Sequence, residues 1–303
     1  MSSFLEEDID LKYIIGIDAG GTKTTASAYD ENGELLCEVV GGFGNVTVDF
    51  DKGIANIQLV IDQIVEKQDG ELTKIVLGCA GIETGDRKEL AKAYLEKKCG
   101  EIVYVTNDAM LALYAALQGE DGILVIAGTG SIGYLKQKDE VKRFGGWGHL
   151  INDDGSGYSI VIKCIRYIAY SFDTNQSETK LKKAFFEALN ITELRQLIDF
   201  TYKSSKGEIA ALVPVVVKVA QEGDMQAQSI LNWAGERLAY IVIGLCHQYN
   251  VLKPRIALSG SVIRKIGFVR DSFCDILNSE LKGYTIYDND FNPTKGAYYI
   301  NLN

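Results

Sequence analysis

The chain has 303 residues, of which 47% are hydrophobic and 24% charged, a size and balance that suit two globular domains. A formal net charge of −10 argues against nucleic acid or an anionic membrane as a partner, because a diffuse acidic surface repels both. No apolar run reaches membrane-spanning length, the acidic start MSSFLEEDIDLK has no apolar signal core, and six scattered cysteines without a CxxC pair read as reduced thiols; a cytoplasmic protein is expected.

Residues 13–30, YIIGIDAGGTKTTASAYD, predict a strand, a tight Gly/Thr turn and a returning strand. ENGE (31–34) closes a hairpin into a third strand, LLCEVVGG. Residues 51–68 carry apolar positions at helical spacing, then KIVLGCAG (74–81) reads as a buried strand. A helix over 86–99, a strand EIVYVTN (101–107) and a helix DAMLALYAALQ (108–118) complete this half. The pattern then restarts: DGILVIAGTGSIGYLKQ (121–137) is again strand, Gly/Thr turn and strand, with KDEV as the next turn. Helices are predicted over 156–172, 178–189, 191–202, 206–222 and 224–249, followed by strand RIALSGS (255–261), helix 263–281, strand TIYD (285–288) and a helical tail PTKGAYYIN (293–301).

Several polar stretches interrupt these elements. In GIDAGGTKT (16–24), Gly20 and Gly21 let backbone N–H groups approach a ligand, and Thr22, Lys23 and Thr24 add donors. That inventory suits a polyphosphate, with Asp18 placed to hold Mg²⁺ through water. IAGTGSIG (126–133) repeats the donors without the acid, through Gly128, Thr129, Gly130 and Ser131. A plain hairpin would explain either turn alone; two such turns favour a cleft between two halves. ALSGSV (257–262) puts Gly260 and Ser261 at a strand–helix junction where an anion or nucleoside can dock.

Asp108 follows a strand and opens a helix. It could take a proton from a substrate hydroxyl, or Asn107 or Asp108 could simply cap that helix. GGWGHLINDDGSGY (145–158) combines glycines with Trp147, His149, Asp153 and Asp154, a mix that suits a carbohydrate. Asn45 in GFGN could contact a substrate or form a turn.

Taken in order, GIDAGGTKT, TNDA, IAGTGS, GGWGHLINDDGSGY and SGSV make the chain resemble the N-acetylglucosamine kinase and BadF/BadG-type ATPase group, within the superfamily of actin, sugar kinases and heat-shock chaperones. The resemblance runs from about Lys12 onward. It implies an α/β, two-domain actin-like ATPase fold, a duplicated ribonuclease H-like βββαβαβα unit with a nucleotide cleft between the domains. Residues 1–117, with a C-terminal helix 292–303 packing back, would form one domain and 118–291 the other. It implies ATP and Mg²⁺, phosphate contacts from Gly20, Gly21, Thr22, Lys23, Gly128, Thr129, Gly130 and Ser131, and adenosine beside Gly260 and Ser261. Asp108 would be the catalytic base, and the sugar would meet Asn45, Asp108, Thr129, Gly145, Gly146 and Asp153. The expected activity is phosphorylation of N-acetylglucosamine to its 6-phosphate by a homodimer. The alternatives are a glucosamine or N-acetylmuramic acid kinase, or a regulatory ATPase. Two departures stand out: Cys79-Ala80-Gly81 replaces a Ser-Gly-Gly turn of the vertebrate kinases, and neither the cysteine motif of the iron–sulfur activators nor the zinc motif of the ROK kinases has a counterpart.

Overall fold

The computed structural model describes residues 11–100, 102–138, 140–176 and 179–300. The acidic start, Glu101 and Asp139 of the expected strand and turn, the first residue of the helix expected from 178, and the tail beyond 300 lie outside the described residues.

Strand β1 (Lys12–Ala19) opens an antiparallel meander with β2 (Thr24–Asp30) and β3 (Leu35–Gly41). After helix α1 (Phe50–Val65), β4 (Glu71–Cys79) pairs in parallel with β1; after α2 (Arg87–Cys99), β5 (Val103–Thr106) pairs in parallel with β4, and α3 (Asp108–Leu117) follows. The sheet order is β3-β2-β1-β4-β5. Alternation along β4 divides its side chains between two layers. Ile75 and Leu77 join a core with Ile54, Ile57, Ile61 and Ile64 of α1, whereas Val76 packs with Leu111 of α3 on the opposite side.

The design then repeats. β6 (Gly122–Ala127), β7 (Ser131–Gln137) and β8 (Glu140–Gly145) form a second meander. A run of helices follows: α4 (Gly157–Asp173), α5 (Lys180–Leu189), α6 (Leu194–Lys203), α7 (Lys206–Ala210), α8 (Val213–Gln221) and α9 (Met225–Tyr249). β9 (Arg255–Ser259) pairs in parallel with β6; after α10 (Ser261–Lys265) and α11 (Gly267–Glu280), β10 (Thr285–Tyr287) pairs in parallel with β9. Read from the meander edge, this sheet runs β8-β7-β6-β9-β10, the same order and directions as the first. The duplicated α/β architecture expected from the sequence is present. Its core joins Ile123 and Val125 to Ile160 and Val161 of α4 and to Leu238 and Val242 of α9. Gly235 admits α11 against α9, since a Cβ there would overlap the Val269 carbonyl.

The tail returns to the first sheet through a 3-10 turn (Pro293–Lys295) and α12 (Gly296–Tyr299). Ala297 and Ile300 cover Val76 and Leu111. Thr294, fully buried, shares its hydroxyl with Tyr29 Oη and Ser27 Oγ, each at 2.8 Å. Gly16 must be glycine for this seat, because a Cβ would overlap the Thr294 carbonyl. The chain therefore comprises one unit of residues 1–120 with 289–303, and a second, continuous unit of 121–288.

Candidate functional site

In the first unit the polar residues gather where the parallel strands end. Asp18 on β1 lies in register with Gly78 on β4, and Gly78 with Thr106 on β5. Asp18 and the Asn107–Asp108 pair thus leave the same carboxyl edge, the edge at which α/β sheets bind ligands. The turn after β1 closes on itself through Gly20 N–H donating to the Lys23 carbonyl at 3.0 Å, and the Gly20 carbonyl accepts from Gly44 and Asn45. Gly21, Thr22 and Lys23 stand exposed at its tip.

The division of labour at α3 is clear. Asn107 is the cap: its Oδ1 accepts from Met110 N–H at 2.7 Å, and its Nδ2 donates to Glu83 Oε1 at 2.7 Å. Asp108 is left to backbone N–H groups at the helix start, among them Ala109 N–H at 3.0 Å. Burial, and then the Glu83 charge, push its carboxyl above the ordinary range against the pull of backbone N–H groups. Asp18 is pushed up to about 6, by burial first and the Asp108 charge second, with Lys23 opposing. The same two acids add to burial in raising Cys79 to about 11, so it stays a thiol. That thiol donates to the Gly44 carbonyl at 3.3 Å and holds the loop that carries Asn45.

Asn45 forms a turn, its Oδ1 accepting from Thr47 N–H at 2.8 Å and Thr47 Oγ1 at 2.6 Å. Arg87 ties this loop to the one after β4 by donating to the Val46 carbonyl at 3.0 Å and the Thr84 carbonyl at 3.1 Å. Gly81, at φ +75°, lets the two loops approach, with the Asn45 Oδ1 within 3.3 Å of where its Cβ would stand. Two crowded carboxylates with a single lysine beside them suit a hard cation. Among the described residues no cluster of three or more potential ligands exists. The donor set therefore fits Mg²⁺, which keeps waters and phosphate oxygens in its shell.

In the second unit the turn Gly128–Ser131 has its carbonyls engaged. Gly128 O accepts from Gly157 N–H at 2.8 Å, Thr129 O from Tyr158 N–H at 3.4 Å, and Gly130 O from Gly128 N–H at 2.9 Å. The Ser131 hydroxyl turns inward and donates to the Asp154 carbonyl at 2.8 Å. What this leaves for a ligand is backbone N–H and the exposed Thr129. Gly260, at φ +90°, passes directly under the turn, since a Cβ would overlap the Ala127 carbonyl. Beside the turn opens a pocket of about 520 Å³. Ala210, Val213, Pro214, Val217, Val262 and Ile266 give it apolar walls, and Gly128, Thr129 and Ser261 its inner edge.

The loop after β8 is held by positive φ at Gly145, Gly146 and Gly148. Its two acids part: Asp153 is 5% exposed and pairs with Lys206 at 2.6 Å, whereas Asp154 faces solvent. Trp147 is 63% exposed, and the Arg143 guanidinium lies 3.8 Å over its ring. One face of the Trp147 ring is thus occupied by an arginine. His149 meets Tyr158 edge-on, ring centroids 4.8 Å apart.

Residues 15–300 match the model of the BadF/BadG/BcrA/BcrD ATPase family. The chain belongs to that ATPase family. It is 32% identical to an N-acetylmuramic acid/N-acetylglucosamine kinase of Clostridium acetobutylicum, over 88% of this chain and 91% of that one. It is 30% identical to an N-acetyl-D-glucosamine kinase of Dictyostelium discoideum, over 95% and 97%. Among solved structures, a candidate N-acetylglucosamine kinase of Chromobacterium violaceum superposes with a TM-score of 0.74 at 22% identity, covering 95% of this chain and 98% of that one. The structural likeness carries the fold.

Three features of this family member escaped the sequence reading. Glu83 is joined to Asp108 electrostatically from a neighbouring loop, Lys206 reaches Asp153 across 53 residues, and the pocket walls of α7 and α8 read as ordinary core valines and alanines. The stretch 206–222 was expected as one helix, and Pro214 at the head of α8 is the signal in the chain that it breaks there.

Proposed function

We propose that the protein transfers the γ-phosphoryl group of ATP to a hydroxyl of an amino sugar, with N-acetylglucosamine at O6 as the first candidate. Membership of an ATPase family and identities of 30% or more to two kinases named for amino sugars support this. The observation that carries the chemistry is Asp108, a carboxylate at a helix start whose capping duty has passed to Asn107.

Asp108 would orient the sugar hydroxyl and accept its proton as the oxygen bonds to the γ-phosphorus and the bond to ADP breaks. The Gly20–Lys23 and Gly128–Ser131 turns would bind phosphate oxygens through backbone N–H, with Lys23 adding charge. Asp18 would hold Mg²⁺ through water, and the ion would neutralise the β- and γ-phosphates. The pocket lined by Ala210, Val213, Pro214 and Val217 has the apolar width for an adenine ring, with Ser261 adding a hydroxyl to its lining. Asn45, Thr129, Gly145, Gly146 and Asp153 are the proposed sugar contacts. Among the described residues no helix is long and apolar enough to cross a membrane; the proposed setting is the cytoplasm, as a homodimer.

The test is ADP release from Mg-ATP against N-acetylglucosamine, glucosamine, N-acetylmuramic acid, N-acetylmannosamine and glucose, with Asp108→Asn alongside. One amino sugar should stimulate turnover, and Asp108→Asn should lower kcat about 100-fold or more. A variant with near-wild-type turnover, or a protein that no sugar stimulates, would overturn the reading.

A further inference from the structure

Lys206 belongs to no motif of the sequence, yet its position is distinctive. It opens the short helix α7, whose start is fixed by a capping box between Ser205 and Glu208. From there its Nζ reaches the Asp153 Oδ2 at 2.6 Å. The same Nζ lies 2.7 Å from where a Cβ on Gly130 would stand, and Asp153 Oδ2 lies 3.0 Å from that point. The ammonium therefore rests on the open face of Gly130, at the centre of the turn proposed to hold phosphate. Asp153 is almost wholly buried, while the Lys206 side chain keeps 31% exposure. The acid is enclosed, and the lysine is the member of the pair that reaches solvent.

Each partner of this pair is chemically suited to one of the two substrates. Asp153 can accept from sugar hydroxyls, and an ammonium beside a phosphate turn can take a terminal phosphoryl group as its anion. A buried carboxylate cannot give up its cation without another donor, because an unpaired buried charge is costly. The two exchanges are thereby linked: donors arriving at Asp153 release the lysine.

We propose that Lys206 is the ammonium that neutralises the γ-phosphoryl oxygens during transfer, and that Asp153 withholds it until sugar hydroxyls replace it at the carboxylate. This rests on the amino-sugar kinase reading above. It makes Asp153–Lys206 the link through which sugar tightens the grip on ATP, and through which idle ATP hydrolysis is held down. By reciprocity, a non-hydrolysable triphosphate must tighten sugar binding by the same factor.

Calorimetric titration with ADP and with AMPPNP, each with Mg²⁺, reads the idea directly. In Asp153→Asn the freed lysine should bind AMPPNP about tenfold tighter without any sugar, with ADP unchanged. In Lys206→Met the preference for AMPPNP over ADP should shrink by about the same factor, and kcat should fall about 100-fold. Lys206→Arg, which keeps the charge, should recover part of both. These nucleotide arms need no sugar, so a mistaken substrate assignment would show as a silent sugar panel while they still respond. Unchanged or weaker AMPPNP binding in Asp153→Asn would overturn the proposal. So would a Lys206→Met protein with a lowered Tm but wild-type discrimination between the two nucleotides, the mark of a merely structural brace. Should Lys206→Met fail to fold, Asp153→Asn alone decides.

Discussion

Asp18 is held in a state the fold disfavours, and replacing it should stabilise the protein while disabling it. Its carboxyl is raised from 3.8 to about 6, with burial as the leading cause and the Asp108 charge next. A carboxyl whose pKa is raised on folding favours the folded state fully below the unfolded pKa, and that contribution is lost as pH rises through the folded value. A shift of this size corresponds to about 3 kcal/mol at neutral pH, reduced to about 2 kcal/mol by the partial solvent access of the site. Asp18→Asn removes the charge at similar volume, so the variant should gain about 2 kcal/mol at about pH 7.5, and about half of that at about pH 5. For a unit of this size the neutral-pH gain amounts to roughly 4–8 °C in Tm. Thermal unfolding followed by circular dichroism at the two pH values measures it. The same scans with Mg-ATP should show the wild-type Tm rising and the variant's barely moving, because a ligand stabilises only the state that binds it. A variant that is less stable than wild type at about pH 7.5, or whose gain is the same at both pH values, would refute the claim that Asp18 is a buried, strained acid.

Other positions give sharper structural readouts. Asn107→Ala should cost about 1 kcal/mol through loss of the α3 cap, visible in urea unfolding, and should also lower kcat by freeing Glu83 beside Asp108. Gly260→Ala should destabilise the second unit by about 2 kcal/mol or more, since its φ of +90° and the Ala127 carbonyl both oppose a side chain; weakened AMPPNP binding would follow from displacement of the Gly128 turn.

The first meander and the opening hairpin of the second were legible because hairpins are local; β8 was not, since the turn expected at KDEV (138–141) gives way to strand from Glu140. Asp30 closes the first by accepting from Asn32 and Glu34 N–H, a turn device written within five residues. The α1 face was legible for the same reason, its apolar spacing matching its buried residues. Where the reading slipped, a backbone break lacked a strong local signal. The helix expected over 263–281 divides at Ile266, whose extended φ of −104° and ψ of 105° separate α10 from α11. The stretch 206–222 divides into α7 and α8, with Pro214 at the head of the second. β4 begins at Glu71, three residues before the strand expected from Lys74, because Glu71 and Leu72 already pair with β1. At the site, glycine turns and strand-end acids could be placed from the chain alone. The choice between Asn107 and Asp108 as cap could not, nor could the Lys206 partnership, because each depends on side chains brought together from separate loops.

The returning tail sets an order of manufacture. Residues 121–288 are contiguous and can bury their core as soon as they are complete. The first unit cannot: Val76 and Leu111 wait uncovered, and Thr294 is missing from its place beside Tyr29 and Ser27, until residues 294–300 have been made. The half of the chain made first is thus finished last, and during synthesis it carries an open apolar seam. A chain cut before Ala297 would leave Asp18 and Asp108 on an incompletely packed sheet.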